Sequence, residues 1–283
     1  MTKEKNTAKS SLSGSKLFIY ATLIGLSIFT IFPFFWAILT SFKTEQQALV
    51  SPPIWWLDEW HIENYNQALT IFPFGRFYLN TIIFSVVSTV GRLFTSLLAG
   101  YVLAKFNFRA KKLIFILIIS TMMIPYWINI VPIYFMLSKI KWIDTYLGLI
   151  VPQLAHPLGI FLIRQYLTSI PNDYIDSGRI DGAGEWSILW RIIFPQCLPV
   201  MATLSIYFFV ASWNSFMWPL IVTRSEEMRT ITVGLALLSG SPQRTQYPLQ
   251  MAAATIGMIP PIIIFLFLQK YLTKGFILSG LKG

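Results

Sequence analysis

Six long segments of this chain carry almost no charged residues, and they constrain its fold more than any other feature. They cover residues 17–42, 77–104, 113–138, 145–168, 192–223 and 245–270. A helix needs roughly 20 residues to cross the hydrocarbon core of a bilayer, so each segment is long enough to span it. Only 12% of the residues are charged, whereas soluble domains carry about 25%. We therefore predict an all-α membrane protein with six transmembrane helices.

The N-terminal region fits a tail followed by a membrane span. We predict that residues 1–14 form a disordered tail and that residues 15–283 form one transmembrane domain. The first apolar segment exceeds the roughly 7–15 apolar residues of a signal peptide, and it ends in aromatic residues and not in a small-residue cleavage site.

Lysine and arginine residues predict the orientation of the chain. With a cytoplasmic N-terminus and six spans, fourteen of the 22 basic residues lie on the cytoplasmic side, counting Arg164 and Lys270 at the cytoplasmic ends of their spans. Seven lie outside, and Arg92 lies in the interior of a span. Basic residues concentrate on the cytoplasmic side of membrane proteins. We therefore place both termini and the loop 171–199 in the cytoplasm, and we ascribe the net charge of +10 to topology and not to nucleic-acid binding.

The loop 171–199 is patterned like a structured element. Apolar residues such as Ile175, Ile180 and Trp186 recur in it at roughly helical spacing, with charged residues between them. We predict a short amphipathic helix, a bend at Gly182 and a second helical piece at the membrane surface. Such a helix suits docking into a groove on a soluble partner.

Catalytic and metal-binding motifs are missing from the sequence. It contains neither a phosphate-binding G-x-x-x-x-G-K-[ST] loop nor an H-E-x-x-H motif, and its single cysteine, Cys197, forms no metal cluster with His61 or His156. An intramembrane serine protease using Ser27 and His156 is a weak alternative, because nothing around Ser27 suggests a nucleophile. The predicted spans contain no Asp or Glu, which disfavours an ion-coupled secondary transporter.

Four residues inside the predicted spans are candidates for a substrate path. A buried charge such as Arg92 normally faces a cavity or a partner, and aromatic and amide groups stack on and hydrogen-bond to sugars. The candidates are Arg92, Trp213, Asn214 and Trp218. The alternative is that Arg92 pairs with a backbone carbonyl or polar side chain and that the others pack between helices.

The loop resembles a known family. Its sequence D-S-G-R-I-D-G-A, at residues 176–183, followed by Ile192 and Pro195, resembles the EAA loop of ABC importer permeases, E-A-A-x-x-D-G-A followed by a spaced proline. The acid is kept, but both alanines of the triplet are replaced. The resemblance implies a type I importer permease whose loop couples it to an ATPase. The candidate coupling residues are Asp176, Ser177, Gly178, Asp181, Gly182, Ala183, Glu185 and Pro195.

The resemblance extends to the carbohydrate-uptake branch. Residues 212–220, 230–235 and the end 269–283 look like maltose-permease-like second membrane subunits. The resemblance implies a bacterial cytoplasmic-membrane complex with a second, different permease, two ATP-binding subunits and an extracytoplasmic solute-binding protein. ATP and magnesium would be held by the partner subunits, and this chain would bind no cofactor.

The same resemblance assigns two further segments and leaves the solute open. Segment 224–247 would reach toward the binding protein, and Lys282 and Gly283 in the tail would contact the ATPases. A sugar or oligosaccharide is the expected solute. Glycerol phosphate or another polar solute of the same family is the alternative, and an ATP-independent secondary transporter is a more distant one.

Overall fold

The computed structural model describes residues 7–71, 73–239 and 246–280, and the regular elements of these ranges are helical. The α-helices are α1 (Thr7–Ser41), α2 (Glu45–Leu49), α3 (Glu63–Ile71), α4 (Phe74–Lys105), α5 (Lys111–Ser120), α6 (Tyr126–Lys139), α7 (Tyr146–Ile150), α8 (Pro157–Thr168), α9 (Asp173–Ile180), α10 (Glu185–Ile188), α11 (Phe194–Trp213), α12 (Met217–Val222), α13 (Ile231–Ser239) and α14 (Tyr247–Gly280). Short 3-10 turns and one π-helical turn connect some of them.

The helices supply between four and six membrane spans in the described residues. Four continuous stretches are long and apolar enough: Lys16–Ser41, Phe74–Lys105, Glu185–Trp213 and Tyr247–Lys270. Two further spans require a bent pair each. Lys111–Met123 and Tyr126–Lys139 meet at 101°, and Tyr146–Gln153 and Pro157–Thr168 meet at 41°. The six predicted spans are reached when each bent pair counts as one.

Prolines account for both bends. Pro125 immediately precedes α6, and Pro157 is the first residue of α8. Proline has no amide hydrogen, and it drives the residue before it out of the helical region. His156 accordingly has an extended backbone, with φ −128° and ψ 110°.

The boundaries around α11 differ from the sequence prediction. The second piece of the loop does not end before the span, because α10, a π-helical turn at Leu189–Ile193 and α11 form one continuous helix. The Phe194 amide bonds to the Leu189 carbonyl, five residues back. This wider turn lets the helix continue into Pro195, whose ring would clash with the carbonyl four residues before it in a regular helix.

The predicted span 192–223 also ends early. Helix α11 stops at Trp213, and α12 begins only at Met217. In an unbroken helix, Pro219 would clash with the Ser215 carbonyl. The break leaves that carbonyl free to accept the Thr232 hydroxyl at 2.7 Å.

At the N-terminus, α1 begins at Thr7, inside the stretch 1–14 for which the sequence predicts a disordered tail. Residues 7–16 contain no proline to end the helix. Residues 1–6 lie outside the described part.

The chain divides into two compact units. In the first, Met1–Thr70 with Ser239–Ile256, the Asn64 amide donates to the carbonyls of Ser41 and Lys43, each at 2.9 Å. The second unit, Ile71–Leu238 with Gly257–Gly283, contains a core formed by α4, α8 and α11. Buried Leu97, Ile163 and Leu204 belong to this core, so the three helices form one packed body.

Candidate functional site

The loop between α8 and α11 has the predicted helix–bend–helix form. Helix α9 ends in a left-handed turn at Gly182, with φ 79°. The Gly182 amide donates to the Arg179 carbonyl at 3.0 Å, and the Ala183 amide donates to the Gly178 carbonyl at 2.9 Å. These two bonds are the Schellman pattern that ends helices at a glycine. The loop therefore has a fixed bend.

The bend makes a prediction for Gly182. A β-branched side chain strongly disfavours a positive φ, and the left-handed conformation costs L-residues about 1–2 kcal/mol. We expect Gly182→Val to raise amide hydrogen exchange in α9 and α10 about tenfold. The matched control is Gly184→Val, because Gly184 is equally open and has an extended backbone, φ −71° and ψ 160°. Equal exchange in the two variants would contradict the proposed strain.

Apolar packing joins the loop to the membrane helices. Ile175 of α9 and Ile188 of α10 are 2% and 0% exposed, and both belong to the core of α4, α8 and α11. Ala183 packs against the same core. A force applied to the loop is therefore transmitted through close-packed side chains to these three helices.

Polar contacts also hold the loop against α4. Glu185 accepts the Tyr101 hydroxyl of α4 at 2.9 Å and the Arg179 Nε of α9 at 3.0 Å. This hydrogen bond to Glu185 raises the pKa of Arg179, so its guanidinium stays charged. At the end of α4, Lys105 donates to the Ile170 carbonyl at 2.5 Å and to Asn172 Oδ1 at 2.9 Å. Glu185, predicted as a coupling residue, thus serves the internal framework of the loop.

The outer side of the loop is apolar at its tip. Ile180 is 86% exposed at the end of α9, and Trp186 and Tyr174 are 63% and 53% exposed. We call these three residues the apolar tip. The loop is anchored to the membrane helices on one side and exposes apolar side chains on the other. Such a surface is suited to bind a partner.

The other two predicted coupling acids, Asp176 and Asp181, are more available to a partner than Glu185. Asp176 makes only a long contact with Arg179, at 3.4 Å, with both side chains largely exposed. Asp181 is exposed next to the bend, and the described residues offer its carboxylate no hydrogen bond. An exposed pair of this kind contributes little stability, so both acids remain free to meet donors on a partner.

The altered triplet residues Ser177 and Gly178 have distinct surroundings. The Ser177 hydroxyl donates to the Tyr174 carbonyl of its own helix at 3.1 Å. Gly178 is buried, and a Cβ there would lie 2.7 Å from Ile192 Cδ1. The glycine therefore makes room for the isoleucine. Pro195 lies exposed at the start of α11.

Arg92 is part of a buried hydrogen-bond cluster. Its side chain, 5% exposed, lies in the middle of α4. It donates from Nε to the Gln153 carbonyl at 2.8 Å, from Nη2 to Gln153 Oε1 at 2.7 Å, and from Nη1 to Ser212 Oγ at 3.1 Å. The structure thus gives Arg92 the partners of the alternative interpretation, a backbone carbonyl and polar side chains.

Both tryptophans of the candidate substrate path lie in the core. The Trp213 indole donates to the Gly257 carbonyl at 2.9 Å, and the Trp218 indole donates to the Leu149 carbonyl at 3.0 Å. Each is 2% exposed. Asn214, at the break after α11, is the exposed member of the set.

Several polar residues near Arg92 were not predicted from the sequence. Gln153 Nε2 donates to the Tyr126 hydroxyl at 3.1 Å, and Tyr126 is 43% exposed. Tyr207, 49% exposed, lies beside His156 with a ring separation of 6.2 Å. The available signal was Gln153 itself, one of two amide side chains in the apolar segment 145–168. Tyr126 thus extends the buried cluster to the surface.

Segment 224–247 is described in part. Asp144 Oδ1 accepts the amides of Arg224 at 2.8 Å and Ser225 at 3.0 Å. Burial alone would raise the pKa of Asp144, but these hydrogen bonds and the Arg224 charge lower it. The apolar stretch within this segment forms α13. Residues 240–245 and the tail residues Lys282 and Gly283 lie outside the described part, which contains no group of three His, Cys, Asp or Glu side chains arranged to hold a metal ion.

Comparisons with known proteins place this geometry in a family. The model of the family "Binding-protein-dependent transport system inner membrane component" matches residues 96–277. The arabinooligosaccharides transport system permease protein AraQ of Bacillus subtilis (strain 168) is 34% identical over 265 residues, covering 91% of this chain and 92% of that protein. The sn-glycerol-3-phosphate transport system permease protein UgpE of Yersinia pestis bv. Antiqua (strain Antiqua) is 29% identical over 271 residues, covering 93% and 96%.

A solved structure supports the fold. A chain of a bacterial ABC transporter involved in the import of the acidic polysaccharide alginate superposes with a TM-score of 0.77 and 21% identity, covering 96% of this chain and 99% of that chain. The type I importer permease fold predicted from the sequence is thereby confirmed. On the family match and the AraQ identity, the chain belongs to the binding-protein-dependent transport system inner membrane components.

Proposed function

We propose that this chain is the membrane-spanning permease subunit of a bacterial ABC importer that takes up a sugar or oligosaccharide. The observation that carries the proposal is the loop 171–199, which is fastened to three membrane helices and presents the apolar tip outward. Family membership and the similarity to AraQ support it. The chain is a transport subunit and not an enzyme.

The proposed mechanism is alternating access driven from the loop. ATP binding closes a dimer of separate ATPase subunits, which hold ATP and magnesium, and their clefts grip α9 and α10. Because Ile175 and Ile188 pack into the core of α4, α8 and α11, the loop cannot move without these helices. Moving the two loops of a permease pair together would then open the solute path to the outside.

The complex requires three kinds of partner. They are a second, different permease, two ATP-binding subunits and an extracytoplasmic solute-binding protein, the last implied by the family's own description. The family description supports a cytoplasmic-membrane location, and the charge count supports an orientation with the loop and both termini in the cytoplasm. Segment 224–247 then faces the binding protein, and Lys282 and Gly283 remain candidates for contact with the ATPases.

The arrangement of Arg92 bears on the solute. The relatives transport arabinooligosaccharides and sn-glycerol-3-phosphate, so a neutral sugar and an anion both deserve consideration. All three guanidinium nitrogens of Arg92 donate to protein groups, which leaves little for an anionic solute. Exposed Tyr126, Tyr207 and Asn214 offer rings and an amide that suit a polyhydroxylated solute, and we propose them as path residues.

The test is extraction of the chain from its native membrane in mild detergent, followed by mass spectrometry of the proteins that accompany it. Recovery of a second permease and an ATP-binding subunit, and ATP-dependent uptake by the reconstituted complex, would support the importer. A chain that purifies alone and moves solute in liposomes without ATP would overturn the proposal in favour of a secondary transporter.

A further inference from the structure

A basic cavity lies near the C-terminal end of α4, the end whose Lys105 contacts Asn172 of the loop 171–199. Its volume is about 760 Å³, and its walls come from the start of α5 and from Arg164 of α8. The residues used below are Lys111, Lys112, Phe115, Ile116 and Arg164. The coupling loop and the Arg92 cluster do not include any of them.

The cavity gathers three positive charges, and no acidic side chain lines it. The Lys111 ammonium donates to the carbonyls of Phe106 at 2.8 Å and Ala104 at 3.3 Å, which fixes its position. The Arg164 guanidinium lies over the Phe115 ring at 3.8 Å and donates only from Nε, to the Leu103 carbonyl at 3.3 Å. The Nη1 and Nη2 nitrogens of Arg164 and the exposed Lys112 ammonium have no acceptor among the described residues. The cavity therefore has several hydrogen-bond donors available for an anion.

The far wall of the cavity is apolar and continuous with a membrane-facing helix. Phe115 stacks on Phe161 with a ring separation of 6.3 Å and an interplanar angle of 15°. Ile116 and Leu117 of α5 are 48% and 57% exposed. Basic groups thus lie above an apolar helix face at the level where a predicted span meets the membrane surface.

We propose that this cavity binds the phosphate headgroup of an anionic phospholipid, with an acyl chain lying along α5. Basic pockets between transmembrane helices at the membrane surface suit such headgroups. Lys112 and the Nη1 and Nη2 nitrogens of Arg164 contact the phosphate oxygens, and Phe115 and Ile116 contact the first methylenes. A soluble anion would gain nothing from the apolar wall, and a soluble partner would not reach Ile116, which lies in the membrane-embedded part of the predicted span. The inference does not depend on which solute is transported.

The proposal is tested on the full chain, purified with its co-expressed partner subunits. Dioleoylphosphatidylglycerol is titrated into the detergent-solubilised protein, bound lipids are counted by native mass spectrometry, and dioleoylphosphatidylcholine serves as the neutral lipid. We expect tighter binding of phosphatidylglycerol. Each charge removed should weaken it about fivefold, so the double variant Lys112→Gln/Arg164→Gln should weaken it about 25-fold.

Control variants keep the test decisive. Lys112→Gln alone changes an exposed side chain and leaves the packing of Arg164 intact, so it should show the fivefold loss in a folded protein. Lys112→Arg keeps the charge and should bind as the unaltered protein does. Arg191→Gln removes an exposed charge outside the cavity and should have no effect.

Four results would overturn the proposal. Phosphatidylcholine could bind as tightly as phosphatidylglycerol, or the double variant could bind phosphatidylglycerol unchanged. Displacement of the lipid by millimolar inorganic phosphate would indicate a site for a soluble anion. Loss of a partner subunit from the double variant, with lipid binding unchanged, would indicate a protein interface.

Discussion

Replacing Arg92 by leucine is expected to destabilise the folded protein by at least about 2 kcal/mol. The substitution removes three hydrogen bonds from a side chain that is 5% exposed. It leaves the Gln153 carbonyl, its side-chain oxygen and the Ser212 hydroxyl to find other partners inside the bundle. Hydrogen bonds to charged groups contribute about 1.5–3 kcal/mol each, and relief from burying the charge offsets part of that loss. Thermal unfolding of the purified protein in detergent measures the effect.

Two variants separate the role of the cluster from the loss of a charge on α4. Arg76→Leu removes an exposed arginine of the same helix with one hydrogen bond, to the Glu227 carbonyl, and should change the midpoint little. Arg92→Lys keeps the charge, but a lysine cannot make both hydrogen bonds to Gln153. Its unfolding midpoint should therefore lie between those of the unaltered protein and Arg92→Leu. If Arg92→Leu unfolds at the temperature of the unaltered protein yet no longer transports, Arg92 belongs to the solute path and the structural role is wrong.

Local patterns in the sequence predicted the parts of the structure that depend on local physics. The loop is an example: apolar residues alternating with charged ones predicted a helix where α9 forms, and Gly182 predicted the bend, because both are decided within a few residues. The pattern did not tell which apolar residues are buried, since Ile175 is buried and Ile180 is exposed. The six apolar segments predicted the spans for the same reason, since length and hydropathy decide whether a helix can cross a bilayer.

Prolines illustrate what a single sequence leaves open. Pro33 and Pro132 lie inside continuous helices, whereas helices begin afresh at Pro125 and Pro157. Whether a carbonyl freed by a proline finds another hydrogen-bond donor depends on neighbouring helices. Those helices are distant in sequence, so the residues around the proline do not reveal the outcome. The π-helical turn before Pro195, which keeps the helix continuous, could likewise not be predicted from the residues around that proline.

The surroundings of the candidate substrate-path residues depend on partners that are distant in sequence. Trp218 donates to a carbonyl 69 residues away, and Arg92 binds Gln153 across 61 residues. Residue type suggested sugar contacts, but only the tertiary packing tells whether an indole or a guanidinium faces a cavity or a helix. The exposure of Tyr126 and Tyr207 favours them as proposed path residues. Sequence periodicity alone did not distinguish them from other aromatic residues of the predicted spans.

Replacing Ile180 by aspartate is expected to reduce the affinity for the ATP-binding subunit about 30-fold and to abolish uptake. Ile180, 86% exposed, is the most exposed member of the apolar tip. In the proposed complex it enters the ATPase cleft, and losing one central apolar anchor in an interface costs about 2 kcal/mol or more. Because the side chain touches little within this chain, the variant should fold normally. Co-purification of the ATPase and ATP-dependent uptake in liposomes measure both effects.

Two controls distinguish loss of the apolar anchor from an added charge. Ile180→Leu keeps the apolar volume and should retain assembly and uptake. Asn172→Asp adds the same negative charge to the start of α9, where its oxygen can still accept from Lys105, and should also assemble. If Ile180→Asp assembles as tightly as these two, the cleft does not grip the tip of α9. The exposed acids Asp176 and Asp181 would then have to provide the coupling contact, because Glu185 is already bound to Tyr101 and Arg179.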